Sequence, residues 1–233
     1  MRIQPGFQPG LTRYRLIFGT CVTLVVATLA TSISATAADI SAVVVSRDGR
    51  GVEQTVIVAT PMYANANLIA RPKPAVMDQR DLTFQPRVLV VEVGTSVDFP
   101  NNDSVSHQVY SFSAAKHFQL PLYKGERHSP VIFDQPGLVV LGCNIHDSMV
   151  GYIYVTDAPF FGTTDKSGAL RLEGLPAGDY KLTIWSPYIA DTPASLTRTV
   201  HVDGSAMTPV QVQLSRPLRA QPEPKPHRRD WEY

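Results

Sequence analysis

Beyond residue 38 the chain shows no convincing helical period; it breaks into short runs rich in Val, Ile, Phe and Tyr, and that pattern limits it to β architectures. The runs fall at 40–45, 55–59, 88–93, 96–99, 107–112, 131–133, 138–141, 151–155, 169–172, 180–185, 197–202 and 210–214. Gly, Pro, Asn and Asp separate them, as in 100–103, 165–168 and 176–179. Many short strands with turn signals at such spacing predict sandwiches, so the expected class is all-β. Only 113–120 is left open, as one helical turn or a loop.

The first 38 residues follow a different logic. Arg2, Arg13 and Arg15 precede an apolar stretch over 16–30, and small residues follow it. That order reads as a secretory signal cleaved near Ala37 or Ala38, and predicts a periplasmic or otherwise exported protein. The apolar stretch is short for a bilayer span and diluted by Thr, and nothing after it is long and apolar enough to cross. No stable membrane span is expected after cleavage. Removing three arginines and no acids leaves 18 basic and 20 acidic residues from the original 21 and 20, a formal charge of −2. No basic field remains for a phosphate backbone, so nucleic acid is not an expected partner. The Pro- and Arg-rich end, 216–233, reads as a disordered tail.

Cleavage would also remove Cys21 and leave Cys143 as the single cysteine. An unpaired thiol in an oxidising compartment is either buried and inert or held by something. Its surroundings, GLVVLGCNIHDSMVGYIYV, favour the second reading. Cys143 ends an apolar strand, His146 and Met149 follow at intervals of three, and another strand resumes at once. A loop anchored by strands at both ends can turn three side chains toward one point. His107, sharing a strand face with Val109 and Ser111, is placed to add a fourth. A thiolate, two imidazoles and a weak thioether suit one copper ion cycling between Cu(I) and Cu(II). Zinc accepts the first three but gains little from Met149. The predicted metal ligands are therefore His107, Cys143, His146 and Met149.

Other polar groups have plainer expectations. Asn102 or Asp103 either supports the ligand frame by hydrogen bonding or belongs to an ordinary turn. His117, His128 and His201 are expected at the surface, Asp147 as a cap on the ligand loop, and Tyr152, Tyr154 and Trp185 as sheet or core aromatics.

The block 82–155, with VSHQVYS and GCNIHDSM, resembles the plastocyanin/azurin (cupredoxin) family. The two-residue gap between His146 and Met149 is most similar to amicyanin, and the arrangement resembles a group of exported bacterial proteins labelled plastocyanin-like or methylamine-utilisation-like. The resemblance implies a Greek-key β-sandwich over 77–156 and single-electron transfer with a c-type cytochrome or periplasmic redox enzyme. It implies a type 1 (blue) copper carrier, and no enzymatic activity is expected. Copper storage or delivery, a structural clamp, and a copper-dependent oxidoreductase are the alternatives. Six scattered histidines argue against the multicopper version of the last.

A second unit follows. GTTDKSGALRLEGLPAGDYKLTIW resembles the carboxypeptidase regulatory-like (transthyretin-like) β-sandwich family, but its usual opening strands are missing just before Gly162. ISAVVVSRDGRGVEQTVIVAT, at 40–60, supplies that pattern. The expectation is a discontinuous sandwich of 39–62 with 157–215 around an inserted copper unit. The competing arrangement adds 39–60 to the copper unit as extra strands.

Overall fold

The alternation in the first run is carried into structure as β1 (Ala37–Val45), whose Ala38, Ile40, Ala42 and Val44 are buried while the residues between them are less so. β2 (Val56–Pro61) is different: Val56, Ile57, Val58 and Ala59 are all buried. A continuous apolar run of this kind marks a strand covered on both faces. The computed structural model describes residues 37–63, 72–125, 128–204 and 206–221. The signal segment up to residue 36, Cys21, residues 64–71 and the tail from 222 lie outside the described residues. Among the described residues no helix is long and apolar enough to cross a membrane.

The middle of the chain forms β3 (Ala75–Val76), β4 (Asp78–Arg80), β5 (Thr83–Gln85), β6 (Val88–Glu92), β7 (Thr95–Asp98), β8 (Tyr110–Ser113), β9 (Lys116–Gln119), β10 (Val131–Phe133), β11 (Gly137–Gly142) and β12 (Val150–Thr156). Five of these make one sheet in the order β6-β12-β11-β8-β9, and three make another in the order β10-β7-β3. Met77, Phe84, Val97, Phe99, Phe133, Leu141 and Ile153 fill the core of this part, and every buried member of that core lies between Met77 and Val155. Each such side chain contributes roughly 1.5–3 kcal/mol on leaving water.

The remainder forms β13 (Phe160–Thr163), β14 (Ala169–Pro176), β15 (Gly178–Trp185), the short helix α1 (Pro193–Leu196), β16 (Arg198–Val202) and β17 (Thr208–Gln213). β1 lies between β14 and β17, and β2 lies between β13 and β15. Both early strands therefore take their ladder partners from beyond residue 159, across the whole middle of the chain. A second core, including Ile40, Val44, Ile57, Leu175, Tyr180 and Leu182, is built from the two ends together. Backbone approach is close at the seam. A Cβ on Gly51 would stand 2.2 Å from the Ser167 carbonyl carbon, and one on Gly168, at φ +78°, would stand 2.1 Å from the Val44 oxygen. Thr164 Oγ1 accepts the buried Thr55 N–H at 2.9 Å and donates to the Val52 carbonyl at 2.6 Å.

Val56, Val58, Val88 and Ala158 form a third, smaller cluster with Tyr152, Tyr154 and Trp185 against it. This cluster covers the second face of β2 and joins the two larger cores. The ring of Trp185 lies 5.8 Å from Tyr152 and 5.7 Å from Tyr154, so these aromatics pack at the junction.

Two segments depart from expectation. Residues 113–120, left open as a helical turn or loop, contain β9, which pairs with β8 through a tight turn at Ala114–Ala115. α1 was not foreseen. Thr192 caps it by accepting the Ser195 N–H, with Pro193 at its first turn, a start signal confined to one turn of chain.

Candidate metal centre

The sheet delivers the thiol first. Cys143 follows the last residue of β11, and Gly142 pairs with Tyr110 of β8. The segment 107–112 was expected as one strand; its regular ladder begins only at Tyr110, and His107 instead makes an isolated bridge with Tyr123. That bridge is two backbone hydrogen bonds of 2.9 Å each, from His107 N–H to Tyr123 C=O and from Tyr123 N–H to His107 C=O. The side-chain alternation survives: His107, Val109 and Ser111 have no exposed surface, while Phe112 faces solvent.

The loop after Cys143 is closed by its own backbone, with the Met149 N–H donating to the His146 carbonyl at 2.8 Å. Asp147, expected as the cap, is exposed beside it. This short closure turns His146 back toward Cys143 and buries Met149 completely in the same core cluster.

Three donor atoms meet there. Nδ1 of His107 lies 3.1 Å from Nδ1 of His146, and Cys143 Sγ lies 3.8 Å from each. His107 and Cys143 are buried and His146 half-buried. A transition-metal ion about 2.0–2.1 Å from each nitrogen and about 2.3 Å from the sulfur would separate the nitrogens by about 3.1–3.5 Å and each nitrogen from the sulfur by about 3.7 Å. The observed triangle has that size, so the residues present fit such an ion.

The groups around the triangle fix its protonation. Cys143 Sγ accepts the Gln108 N–H at 3.5 Å. Burial opposes ionisation of this thiol, but hydrogen bonds from His107 and the amides of Gln108 and Ile145 prevail and hold it below its ordinary range. For His107, burial opposes protonation, and Cys143 and Asp103 outweigh it and push the imidazole up. Asp103 Oδ2 takes His107 Nε2 at 2.9 Å, which selects Asp103 from the two candidates; Asn102 bonds Asp78 instead.

A buried polar wall behind His107 was not visible in the sequence. Asn101 Nδ2 donates to the carbonyls of Val105, at 3.0 Å, and Tyr123, at 2.8 Å. Gln79 Nε2 and the Tyr123 hydroxyl meet at the Phe99 carbonyl. Burial pushes the Tyr123 phenol up to about 12. The wall holds the Tyr123 backbone against His107. Its members lie 22–44 residues apart, and no local pattern links them.

Of the remaining histidines, His117 and His201 are exposed as expected, the latter 2.7 Å from Asp179. His128 differs: it is half-buried, its ring edge-on to Tyr123 at 4.4 Å between centroids.

No protein-family model and no curated protein matches the chain. Among solved structures, a purple cupredoxin from Nitrosopumilus maritimus is 25% identical over 36% of this chain and 100% of its own, with a TM-score of 0.32. An amicyanin variant in the reduced state is 22% identical over 42% of this chain and 99% of its own, with a TM-score of 0.33. A copper-containing nitrite reductase from Thermus scotoductus is 28% identical over 42% of this chain but only 25% of its own, with a TM-score of 0.33. The chain is all-β, and its structural neighbours include cupredoxins, each similar to a part of it.

Proposed function

We propose that this chain is an exported type 1 copper protein that carries single electrons, with His107, Cys143, His146 and Met149 as ligands to one copper ion. One observation carries the reading: two imidazole Nδ1 atoms and one thiol sulfur converge within 3.8 Å of one another in a mostly buried pocket. Soft sulfur and borderline nitrogen donors in that arrangement favour copper over harder ions. When bound, copper supplies a reversible one-electron couple. The protein's residues do the rest. β11 and the closed loop keep Cys143, His146 and Met149 on one short rigid segment, and the Tyr123 bridge keeps His107 on the facing one. A frame tied on both sides limits rearrangement between oxidation states. Burial of Cys143 and His107 keeps water and oxygen from the sulfur.

The partner we propose is a c-type cytochrome or a periplasmic redox enzyme, met at the half-buried His146 side of the centre. Residues 39–62 and 157–215 we read as one carboxypeptidase regulatory-like sandwich with a structural or docking role, supported by the pairing of β1 and β2 with strands beyond 159.

Optical and electron paramagnetic resonance spectra of the copper-loaded protein, beside a Cys143→Ser variant, test the function. An intense thiolate-to-copper band near roughly 600 nm is expected in the parent and absent from the variant, with reversible reduction of the parent. A copper-loaded parent without that band, or one that cannot be reduced and reoxidised, overturns the reading.

A further inference from the structure

The carboxylate of Asp103 is bonded on both oxygens. Oδ2 takes the Leu82 N–H at 2.8 Å and His107 Nε2 at 2.9 Å, and Oδ1 takes the Ser104 N–H at 2.6 Å. Its side chain is only 9% exposed and that of His107 is not exposed at all, so bulk water does little to screen the pair. The Asp103 N–H is itself held by Asn101 Oδ1 at 3.0 Å. Asn101 also ties the Tyr123 carbonyl that pairs with His107.

Leu82 adds a second, independent mark. Asp81 and Leu82 are the two-residue turn between β4 and β5, and both adopt left-handed backbone, at φ 50° and 56°. A turn with both central residues in that region favours Asn-Gly, and an apolar branched residue there is strained. The strained amide points at the same oxygen that holds His107. A hairpin remote from the ligand loop is thus used to aim a carboxylate at the back of one imidazole.

An imidazole that donates Nε2–H to a carboxylate has its lone pair on Nδ1, the atom facing Cys143 and His146. A fixed negative charge at that position also favours the more positive oxidation state of an ion bound in front. We propose that Asp103 is the positioning residue of this centre: it fixes His107 as an Nδ1 donor and biases the bound copper toward Cu(II). The second half rests on the copper reading above; the first does not.

Three variants separate charge, geometry and turn. Asp103→Asn can keep an oxygen toward His107 and loses the charge. Asp103→Ala loses both. Leu82→Gly relieves the turn and keeps the carboxylate. Nitrogen-15 spectra of the metal-free protein in alkaline buffer read the neutral imidazole directly. The parent, Asp103→Asn and Leu82→Gly should hold His107 as one Nε2–H tautomer, and Asp103→Ala should show a mixture. In copper-loaded protein, both Asp103 variants should have a higher reduction potential than the parent. Asp103→Ala should also bind Cu(II) about 10–100-fold more weakly. Chemical unfolding of each variant confirms that the fold is kept. A single unchanged tautomer in Asp103→Ala overturns the positioning role. A potential unchanged in Asp103→Asn overturns the charge role, as does an equal rise in Leu82→Gly. If the parent lacks the thiolate band, the copper reading fails while the tautomer result still decides the positioning of His107.

Discussion

Nδ1 of His107 and Nδ1 of His146 face each other at 3.1 Å, from two segments 39 residues apart in the chain. Without a metal, that approach requires a proton between the rings. With one, both lone pairs are needed. Metal binding and protonation therefore compete at the same atoms. His107 is pushed above its ordinary 6.5, so the competition should extend to higher pH than for a free imidazole. Metal affinity, read by competition with a chelator, should fall as pH drops through the raised value. Folding of the metal-free protein should run the other way. A group with a raised folded pKa contributes stability that is full below 6.5 and lost as pH rises through the folded value.

Cys143 carries the opposite sign. Its folded pKa lies below 9.0, so its contribution to metal-free stability is full above 9.0 and lost as pH falls through the folded value. Thiolate absorbance in the ultraviolet should rise at lower pH than for a free cysteine.

Met149 is fully buried, and leucine has nearly its volume. Met149→Leu should leave the fold intact, with a loss below about 1.5 kcal/mol in urea unfolding. The proposed thioether ligand disappears while thiolate and imidazoles stay. The visible band should persist, and the reduction potential should rise.

Thr164 bonds both the Thr55 amide and the Val52 carbonyl inside the second core. Thr164→Val keeps the shape and strands a buried N–H, a cost of roughly 1–3 kcal/mol. The loss should be seen in unfolding and not in the copper spectrum, because neither partner belongs to the core around Cys143.

Gly168→Ala should destabilise further. It combines an unfavourable φ of +78° with a Cβ 2.1 Å from the Val44 oxygen, and that backbone atom cannot move without shifting β1. A melting temperature unchanged from the parent would show that the seam yields more easily than its geometry implies.

Much of this arrangement was legible in the sequence because it is local. The spacing of Cys143, His146 and Met149 is set within one loop, and the inward face of His107, Val109 and Ser111 follows from the two-residue period. The runs that became β1, β2, β11 and β12 are strongly apolar and announce themselves. What stayed hidden is either short or remote. β3, β4 and β5 are two or three residues each, too short to show a strand period even though β5 buries Phe84. Asp103 and Asn102 are equally plausible partners for His107 until the turn between β4 and β5 is placed. The wall of Gln79, Asn101 and Tyr123 depends on hydrogen bonds that exist only once β7 and the segment before β8 are packed.

The pairing of β1 and β2 with strands that follow residue 159 sets an order of events as the chain emerges. The first two strands emerge with no ladder to join, and roughly a hundred residues must follow before their neighbours exist. The ligand-bearing middle can collapse on its own close-range contacts meanwhile. β2, apolar on both faces, is left as a sticky ribbon until β13 and β15 follow. A chain stopped after β12 would hold the donor triangle and still expose that ribbon, so aggregation of truncated forms should track residues 56–59 and not the ligands.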